Sequence, residues 1–291
     1  MLRIALPNKG RLSQEARDLF DDAGLGVRMA GPRALTASLG GEFQAIFVNA
    51  ADIAELVADG AADAGVTGKD LCCESGRELS ELLDLEFGRC RLVVAATDES
   101  GITSLADVSA AGVPRVATVF PRTAKRFFDD AGVAVDIVPV SGAAEVAPHL
   151  GIADVIVDLV STGSTLRVNG LREVATVLES SARLIAATPE TSRATDAQRS
   201  ALLDLVSALE SVLCARGKRY LMANVPRAAL DRVRAIVPGL SGPTVVDVLG
   251  DGLHVAVHAV VPSAGIYRTI ATLKSLGAEG ILVTRIERLM P

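Results

Sequence analysis

Tryptophan is absent from the 291-residue sequence, and aromatic residues make up only 3% of it. A core built from such a chain is aliphatic, packed chiefly from Val, Ala and Leu. Cysteine is scarce as well: Cys72, Cys73, Cys90 and Cys214 show no Cys-x-x-Cys spacing. That argues against a zinc site and a disulfide framework, and it fits a reducing cytoplasm. Long apolar runs are missing, the longest falling far short of the ~20 residues that a membrane helix needs. The opening MLRIALPNKG carries no apolar signal core, so no membrane segment is expected. Net charge is 29 − 35 = −6, and the basic footprint that marks a nucleic-acid partner is lacking. There is no internal repeat and no low-complexity segment.

What is present is an alternation of short apolar runs with amphipathic stretches. Leu2–Pro7, Phe43–Val48, Ala62–Thr67, Leu92–Ala96, Arg115–Thr118, Val135–Val140, Asp154–Val160 and Leu184–Ala187 read as strands. Helices fit Ser13–Ala23, Asp52–Ala58, Ser104–Ala110, Thr123–Ala131 and Ala143–Leu150. This rhythm predicts an α/β fold of mostly parallel sheets covered on both faces. A long helix is expected near Asp196–Arg216, where Leu202, Leu205, Leu209 and Val212 recur at helical spacing. Beyond it the order changes to strand Tyr220–Asn224, helix Pro226–Val237, strands Thr244–Leu249 and His254–Val261 around Gly250-Asp251-Gly252, helix Ser263–Leu276 and strand Ile281–Ile286. That is the β-α-β-β-α-β order of a ferredoxin-like unit. Its charge sets it apart. Residues 216–291 hold 10 basic and 5 acidic side chains, +5, against 19 − 30 = −11 for the first 215, as expected of a separate C-terminal unit.

The most informative stretch is Asp154-Val-Ile-Val-Asp158-Leu-Val-Ser161-Thr162-Gly163-Ser164-Thr165. A strand runs into a turn of small hydroxylated residues before a helix. Backbone N–H groups converge at such a turn, and four hydroxyls add donors, so a phosphate monoester can be held there without lysine. Asp158 stands where a carboxylate can accept ribose hydroxyls. Asp154 shares its strand face but lies about 13 Å away. The plainer reading, that Ser161–Thr165 is only a helix cap, stays open. Lys9, Gly10 and Arg11 follow the first strand, at the end where α/β sheets bind ligands, or else form a solvated loop. Thr67-Gly68-Lys69-Asp70-Leu71 is a second strand-to-helix turn, open either to a nucleotide or pyrophosphate or to Asp70 as a cap. Arg33 can fork onto phosphates or lie free at the surface. Glu145 faces a cleft or merely favours a helix dipole. His254 and His258 are spaced about 13 Å apart on a strand, too far for one metal, and read as structural or regulatory-domain residues.

These segments together resemble the ATP phosphoribosyltransferase family. ADVIVDLVSTGSTLRVN is similar to its signature for 5-phosphoribosyl-1-pyrophosphate (PRPP), and IALPNKGRL to its N-terminal segment. DIAELVADGAADAGVTGKDL, FGRCRLVVA and SGAAEVAPHLGIAD are similar to the segments that follow, in order. The resemblance implies a two-lobed core like that of type II periplasmic binding proteins, with residues 1–93 and 182–215 in one lobe and 94–181 in the other. It implies a regulatory domain over 216–291 that binds histidine as an inhibitor. The chain would cross between lobes near Val94 and return near Ala182. Implied partners are the substrates ATP and PRPP, with Mg²⁺ bound mainly through pyrophosphate and no protein metal ligands assigned. The implied assembly is a homodimer or hexamer. On this reading Ser161, Thr162, Gly163, Ser164 and Thr165 with Asp154 and Asp158 bind PRPP. Lys9, Gly10, Arg11, Thr67, Gly68, Asp70, Leu71 and Glu145 bind nucleotide. Lys9, Arg33 and Asp158 serve the reaction, and Asn224 and Thr244 the regulatory site.

Three positions depart from the family pattern. Asn49 stands where an arginine tied to the leaving pyrophosphate is usual, and Val119 where a lysine is often found. Phe120-Pro121-Arg122-Thr123-Ala124 replaces a Tyr-Pro followed by a Thr-Arg pair. Arg122, Lys125 or Arg126 can restore the charge. A catalytically silent binding homologue therefore stays compatible with the residues. So does another two-lobed enzyme with a regulatory tail, such as a prephenate dehydratase, although that leaves the hydroxyl-rich loop unexplained.

Overall fold

The computed structural model describes residues 1–29, 34–110, 112–192, 194–250 and 252–290. Two compact units emerge, Met1–Val206 and Ser207–Pro291. The boundary lies within a long helix, nine residues before the expected position 216.

The first unit holds two sheets. The elements of the first are β1 (Leu2–Pro7), α1 (Arg11–Asp22), β2 (Val27–Met29), β3 (Thr36–Leu39), β4 (Phe43–Val48), α2 (Ala50–Ala58), β5 (Ala64–Gly68), α3 (Lys69–Ser75) and β6 (Leu79–Asp84). The second has β7 (Cys90–Thr97), α4 (Leu105–Ala110), β8 (Arg115–Thr118), α5 (Pro121–Asp130), β9 (Asp136–Pro139), β10 (Val155–Val160), α6 (Ser164–Val168) and β11 (Leu171–Ser180). The chain then returns to the first sheet through β12 (Ala182–Ala187). Strand orders are β2-β3-β4-β1-β5-β12-β6 and β11-β7-β10-β8-β9. All of β7 pairs with β10 and β11, so the crossing lies before Cys90 rather than near Val94.

Pairing is mixed, which corrects the mostly parallel expectation. β1 runs parallel to β4 and β5, and β8 to β9 and β10. The strands that cross between sheets, β7, β11 and β12, pair antiparallel with their neighbours, because a chain that leaves a sheet and comes back must reverse. β2, β3, β6 and β11 had no sequence signal. In β11 two register shifts break the alternation of inward and outward residues, so no period-2 pattern survives to be read. The expected helix Ala143–Leu150 is only a 3-10 turn at Ala144–Val146.

The core is mostly aliphatic, with no tryptophan, and Phe20, Phe43, Phe47, Phe87, Phe120 and Phe128 are its buried aromatic side chains. Gly65 in β5 lets α2 settle directly on the sheet: a Cβ there would stand 2.4 Å from Ile53 Cγ2. Both faces of the second sheet are covered. Leu92, Val94, Val155 and Val157 meet Phe120, Ala124 and Phe128 of the α5 side, while Val93, Ala95, Ile156 and Val160 meet Leu166 of α6.

In the second unit, after α7 (Asp196–Ala215), come β13 (Lys218–Pro226), α8 (Leu230–Ile236), β14 (Thr244–Asp247), β15 (His254–Pro262), α9 (Ile266–Ser275) and β16 (Glu279–Arg285). Their sheet order β14-β15-β13-β16, antiparallel throughout, is the ferredoxin-like arrangement. Pro226 closes β13 and caps a 3-10 turn, Arg227–Ala229, that runs directly into α8 at Leu230. Asp251 of the hairpin lies outside the described residues. Leu221, Ala223, Val225, Val255, Val257 and Val261 turn inward with Val233 and Leu273 of the helices.

Thr118 ends β8 at the rim of the second sheet and is fully buried. Its hydroxyl donates to the Val157 carbonyl (2.7 Å) and accepts the Phe120 N–H (2.9 Å), which shapes the turn into α5. Thr118→Val strands that buried N–H, so chemical denaturation should show a loss of about 1–3 kcal/mol. Thr118→Ser, which keeps both bonds, should lose clearly less.

Candidate active site

The parallel strands β1, β5, β8 and β10 end in the loops that carry the expected site residues. After β1, Gly10 takes φ 83°, ψ −173°, a conformation that only glycine holds without strain. Lys9 beside it is exposed. Arg11 does not reach outward. Its guanidinium donates to the Gly88 carbonyl and lies 3.6 Å from Asp70 Oδ2.

Asp70 is 1% exposed. The Ser180 hydroxyl donates to its Oδ1 (2.6 Å) and accepts its backbone N–H (3.1 Å). The β5–α3 turn is thereby tied to the last residue of β11. Gly68 has ordinary extended angles, φ −77°, ψ 145°, yet a Cβ on it would stand 2.1 Å from Asp70 Oδ1. The glycine makes room for the folded-back carboxylate, not for a ligand. Thr67 spends its hydroxyl on the Ala50 carbonyl, 2.7 Å away, and Leu71 packs into the Phe120–Ala124–Phe128 cluster. The side chains of Thr67, Asp70 and Leu71, expected as nucleotide contacts, have partners within the protein, while Arg11 keeps 38% of its side chain exposed.

The β10–α6 turn is different. Gly163 is buried at φ 72° and precedes α6, while Ser161, Thr162, Ser164 and Thr165 are exposed. The hydroxyls of Thr162 and Ser164 lie 2.9 Å apart, and Thr162 Oγ1 also accepts the Ser164 N–H at 3.5 Å, the first N–H of α6. Thr162 thus serves α6 in part as a cap, while the four hydroxyl residues stay at the surface. Asp158, two residues from the strand end, is half-buried, with Oδ1 accepting the Leu159 N–H at 2.8 Å. Burial pushes its carboxyl above the ordinary range. The Leu159 N–H pulls it back, and the like charge of Glu145 adds to the rise. Glu145 therefore belongs beside Asp158, on the 3-10 turn. Asp154 does not: its Oδ2 accepts the Arg115 N–H at 2.7 Å before β10 begins, about 13 Å from Asp158, which removes it from the phosphate turn. Arg33 lies outside the described residues.

The departures from the family pattern have structural employment. Asn49 caps α2, accepting the Ala51 N–H at 3.4 Å. Val119 and Ala124 pack in the second sheet's core. Arg122 donates to the Ser75 carbonyl, and Lys125 pairs with Asp129, so neither is an idle replacement charge. Sequence reading missed Glu74. From α3 in the first lobe its carboxylate accepts the N–H groups of Arg122 (3.0 Å) and Thr123 (2.9 Å) at the start of α5 in the second. An acid at the end of a seven-residue helix carries no motif to announce this. Among the described residues, no three His, Cys, Asp or Glu side chains gather to hold a metal, and no helix is long and apolar enough to cross a membrane.

In the second unit, Asn224 pairs with Ala256, and Thr244 with His258, which sits opposite Met222. Asn224 and Thr244 therefore share the sheet face turned away from the helices, two strands and two residues apart, about 12 Å. His258 Nδ1 is 2.6 Å from Tyr220 Oη on that face.

Asp158 yields a prediction. A carboxyl raised in the folded state stabilises the fold at low pH and loses that contribution as pH rises through its folded value. Asp158→Asn removes the cost of holding a half-buried charge. At pH 7.5 its Tm should exceed that of the parent by about 1–3 °C, and the gap should close as pH falls into the carboxylate range. A lower Tm at pH 7.5 would contradict this electrostatic account.

Comparisons with known proteins bear on the whole chain. A family model described as ATP phosphoribosyltransferase matches residues 49–211, and one described as HisG, C-terminal domain matches 215–288. An ATP phosphoribosyltransferase of Gemmatimonas aurantiaca is 67% identical over the full length of both chains. One of Natronomonas pharaonis is 49% identical, again over all of both. An ATP phosphoribosyl transferase (HisG:HisZ) complex from Thermotoga maritima contains a chain 26% identical, with a TM-score of 0.61, covering 72% of this chain and 97% of that one. By full-length identity and by the two family models that follow one another along it, this chain belongs to the ATP phosphoribosyltransferase family.

Proposed function

We propose that the turn Ser161–Thr165 holds the 5-phosphate of PRPP and that ATP enters beside it. As a member of its family the chain is a pentosyltransferase, moving the phosphoribosyl group of PRPP to ATP in histidine biosynthesis. N1 of adenine displaces pyrophosphate at the anomeric carbon. The carbon–oxygen bond to pyrophosphate is labile already, so alignment and charge neutralisation are the protein's work, and no covalent intermediate is needed. The observation that carries the assignment is the Gly163 turn, with four exposed hydroxyl residues at the start of α6.

Asp158 accepts the ribose hydroxyls and Lys9 screens phosphate charge, with Arg33 assigned the same task. The Gly10 and Gly68 turns offer backbone to the nucleotide. Mg²⁺ would be held mainly through the pyrophosphate of PRPP, with no protein ligands assigned, and would there supply charge neutralisation for the leaving group.

The C-terminal unit is the regulatory domain on this reading. Histidine binds its open sheet face, where Asn224 and Thr244 are too far apart to touch one small atom group but near enough to take opposite ends of an amino acid. The assembly is a dimer that goes on to hexamers, and four free cysteines suit a cytoplasmic enzyme.

Replacing Thr162 and Thr165 together with valine keeps the shape of the turn and removes two donors to a charged acceptor. Such bonds contribute about 1.5–3 kcal/mol each, so calorimetry should register at least a tenfold loss of PRPP affinity. Unchanged affinity would remove the phosphate assignment. For the regulatory reading, histidine should slow turnover without competing against PRPP, by a coupling of about 1–3 kcal/mol. Thr244→Val should blunt that inhibition and leave turnover without histidine intact. Strict competition between histidine and PRPP would overturn it.

A further inference from the structure

A charged pair lies behind the phosphate turn, unannounced by any motif. Arg91, the second residue of β7, sets both terminal nitrogens on Glu173 of β11: Nη1 to Oε2 at 2.7 Å, Nη2 to Oε1 at 2.9 Å. The two are not cross-strand neighbours. Arg91 stands opposite Glu179, and Glu173 opposite Ala95, so the pair runs diagonally along the face that also carries Val93, Val160 and Leu166 of α6. Its carboxylate reaches the phosphate turn. Glu173 Oε1 lies 3.4 Å from the point a Cβ on Gly163 would occupy, and Arg167 Nη1 lies 3.5 Å from the same point. On its other side Arg91 lines, together with Ser161, a cavity of about 260 Å³.

A carboxylate directly beneath a phosphate-binding turn is a liability, because it repels the dianion that the turn exists to hold. We propose that Arg91 is a positioning residue that cancels this charge, leaving Glu173 as a neutralised support on which the Gly163 turn rests. The proposal rests on the reading of Ser161–Thr165 as the 5-phosphate site. Arginine suits the task because its planar fork covers both carboxylate oxygens at once, which an ammonium does not. Arg91 and Glu173 are each about a third exposed, 37% and 34%, so the pair adds little to global stability. Breaking it should act on phosphate binding more than on folding.

The consequence is an asymmetry. Arg91→Gln uncovers a negative charge under the phosphate. Glu173→Gln removes that charge and leaves a cation there. Steady-state kinetics on Arg91→Gln, Glu173→Gln and the double variant, with Tm for each, reads this out. Arg91→Gln should raise the KM for PRPP about tenfold, with the KM for ATP and the Tm nearly unchanged, and the defect should shrink in high salt. Glu173→Gln alone should leave the KM for PRPP within about twofold of the parent's. In the double variant, loss of Glu173 should rescue most of the Arg91 defect. A mere structural brace predicts no rescue. A double variant as poor as Arg91→Gln, or an Arg91→Gln enzyme with an unchanged KM for PRPP, would overturn the proposal. If the Thr162 and Thr165 variants weaken PRPP binding while Arg91→Gln does not, this inference fails alone. If they leave PRPP binding unaltered, the phosphate-turn reading fails first.

Discussion

The first unit is organised around one buried carboxylate. Asp70 carries its charge almost wholly out of water, where it persists only if its oxygens are satisfied. The partners that satisfy it come from separate parts of the chain. Arg11 arrives from the β1–α1 loop and Ser180 from the last position of β11. Arg11 also reaches the Gly88 carbonyl in the segment that leads into β7. Three loops from two sheets are fixed by the electrostatic demand of one side chain. The lobes are linked a second time where Glu74 stands at the start of α5, a favourable place for negative charge because the N–H groups there lack helical partners. The cleft is thus framed by acids that face inward into protein, and the hydroxyls of Ser161–Thr165 are left turned outward.

That division explains why the site is electrostatically tense at Asp158. The residue is half-buried, accepts a single backbone N–H and faces the charge of Glu145. Asp70 has its charge matched by Arg11, whereas the charge acting on Asp158 is that of another acid, Glu145. A group held this way costs stability and gains something to offer a ligand. Gly163 tells the same story in backbone terms. Its positive φ, with Glu173 Oε1 standing 3.4 Å from where a Cβ would be, favours glycine at that position.

Much of this was legible in the sequence, for reasons tied to particular residues. β1, β10 and the ferredoxin-like order could be read because buried strands are continuous apolar runs and α8 and α9 carry clear periodicity. The hydroxyl-rich turn stood out because Ser, Thr and Gly cluster after such a run. Failures came wherever long-range partners decide. Nothing near Asp70 in sequence says that Ser180, 110 residues away, will take its carboxylate, so the turn read equally as a nucleotide contact. Asp154 and Asp158 share a strand face on paper, but Arg115 claims the first. β11 hid because bulges blur its alternation, and the 3-10 turn at Ala144–Val146 hid because its residues favour helix without the length to form one.

The same long-range bookkeeping bears on the charge missing at Asn49. Its substitution for the usual arginine looked, in sequence, like a gap that Arg122, Lys125 or Arg126 fills. In the fold Arg122 is bound to the Ser75 carbonyl, and Lys125 to Asp129. A Cβ on Gly76 would stand 2.7 Å from Arg122 Nη1, so the guanidinium is enclosed by the α3 end that it contacts. Moving it toward a departing pyrophosphate would break an interlobe bond and leave the Ser75 carbonyl without that donor. On the proposed reading, the charges that remain for the leaving group are Lys9 in its exposed loop, Arg126 at the surface of α5, Arg33, and a cation that the pyrophosphate brings with it. Asn49 meanwhile caps α2, and α2 packs Ile53 and Val57 against Gly65 of β5. The position serves to hold α2 on the sheet that carries the β1 and β5 turns.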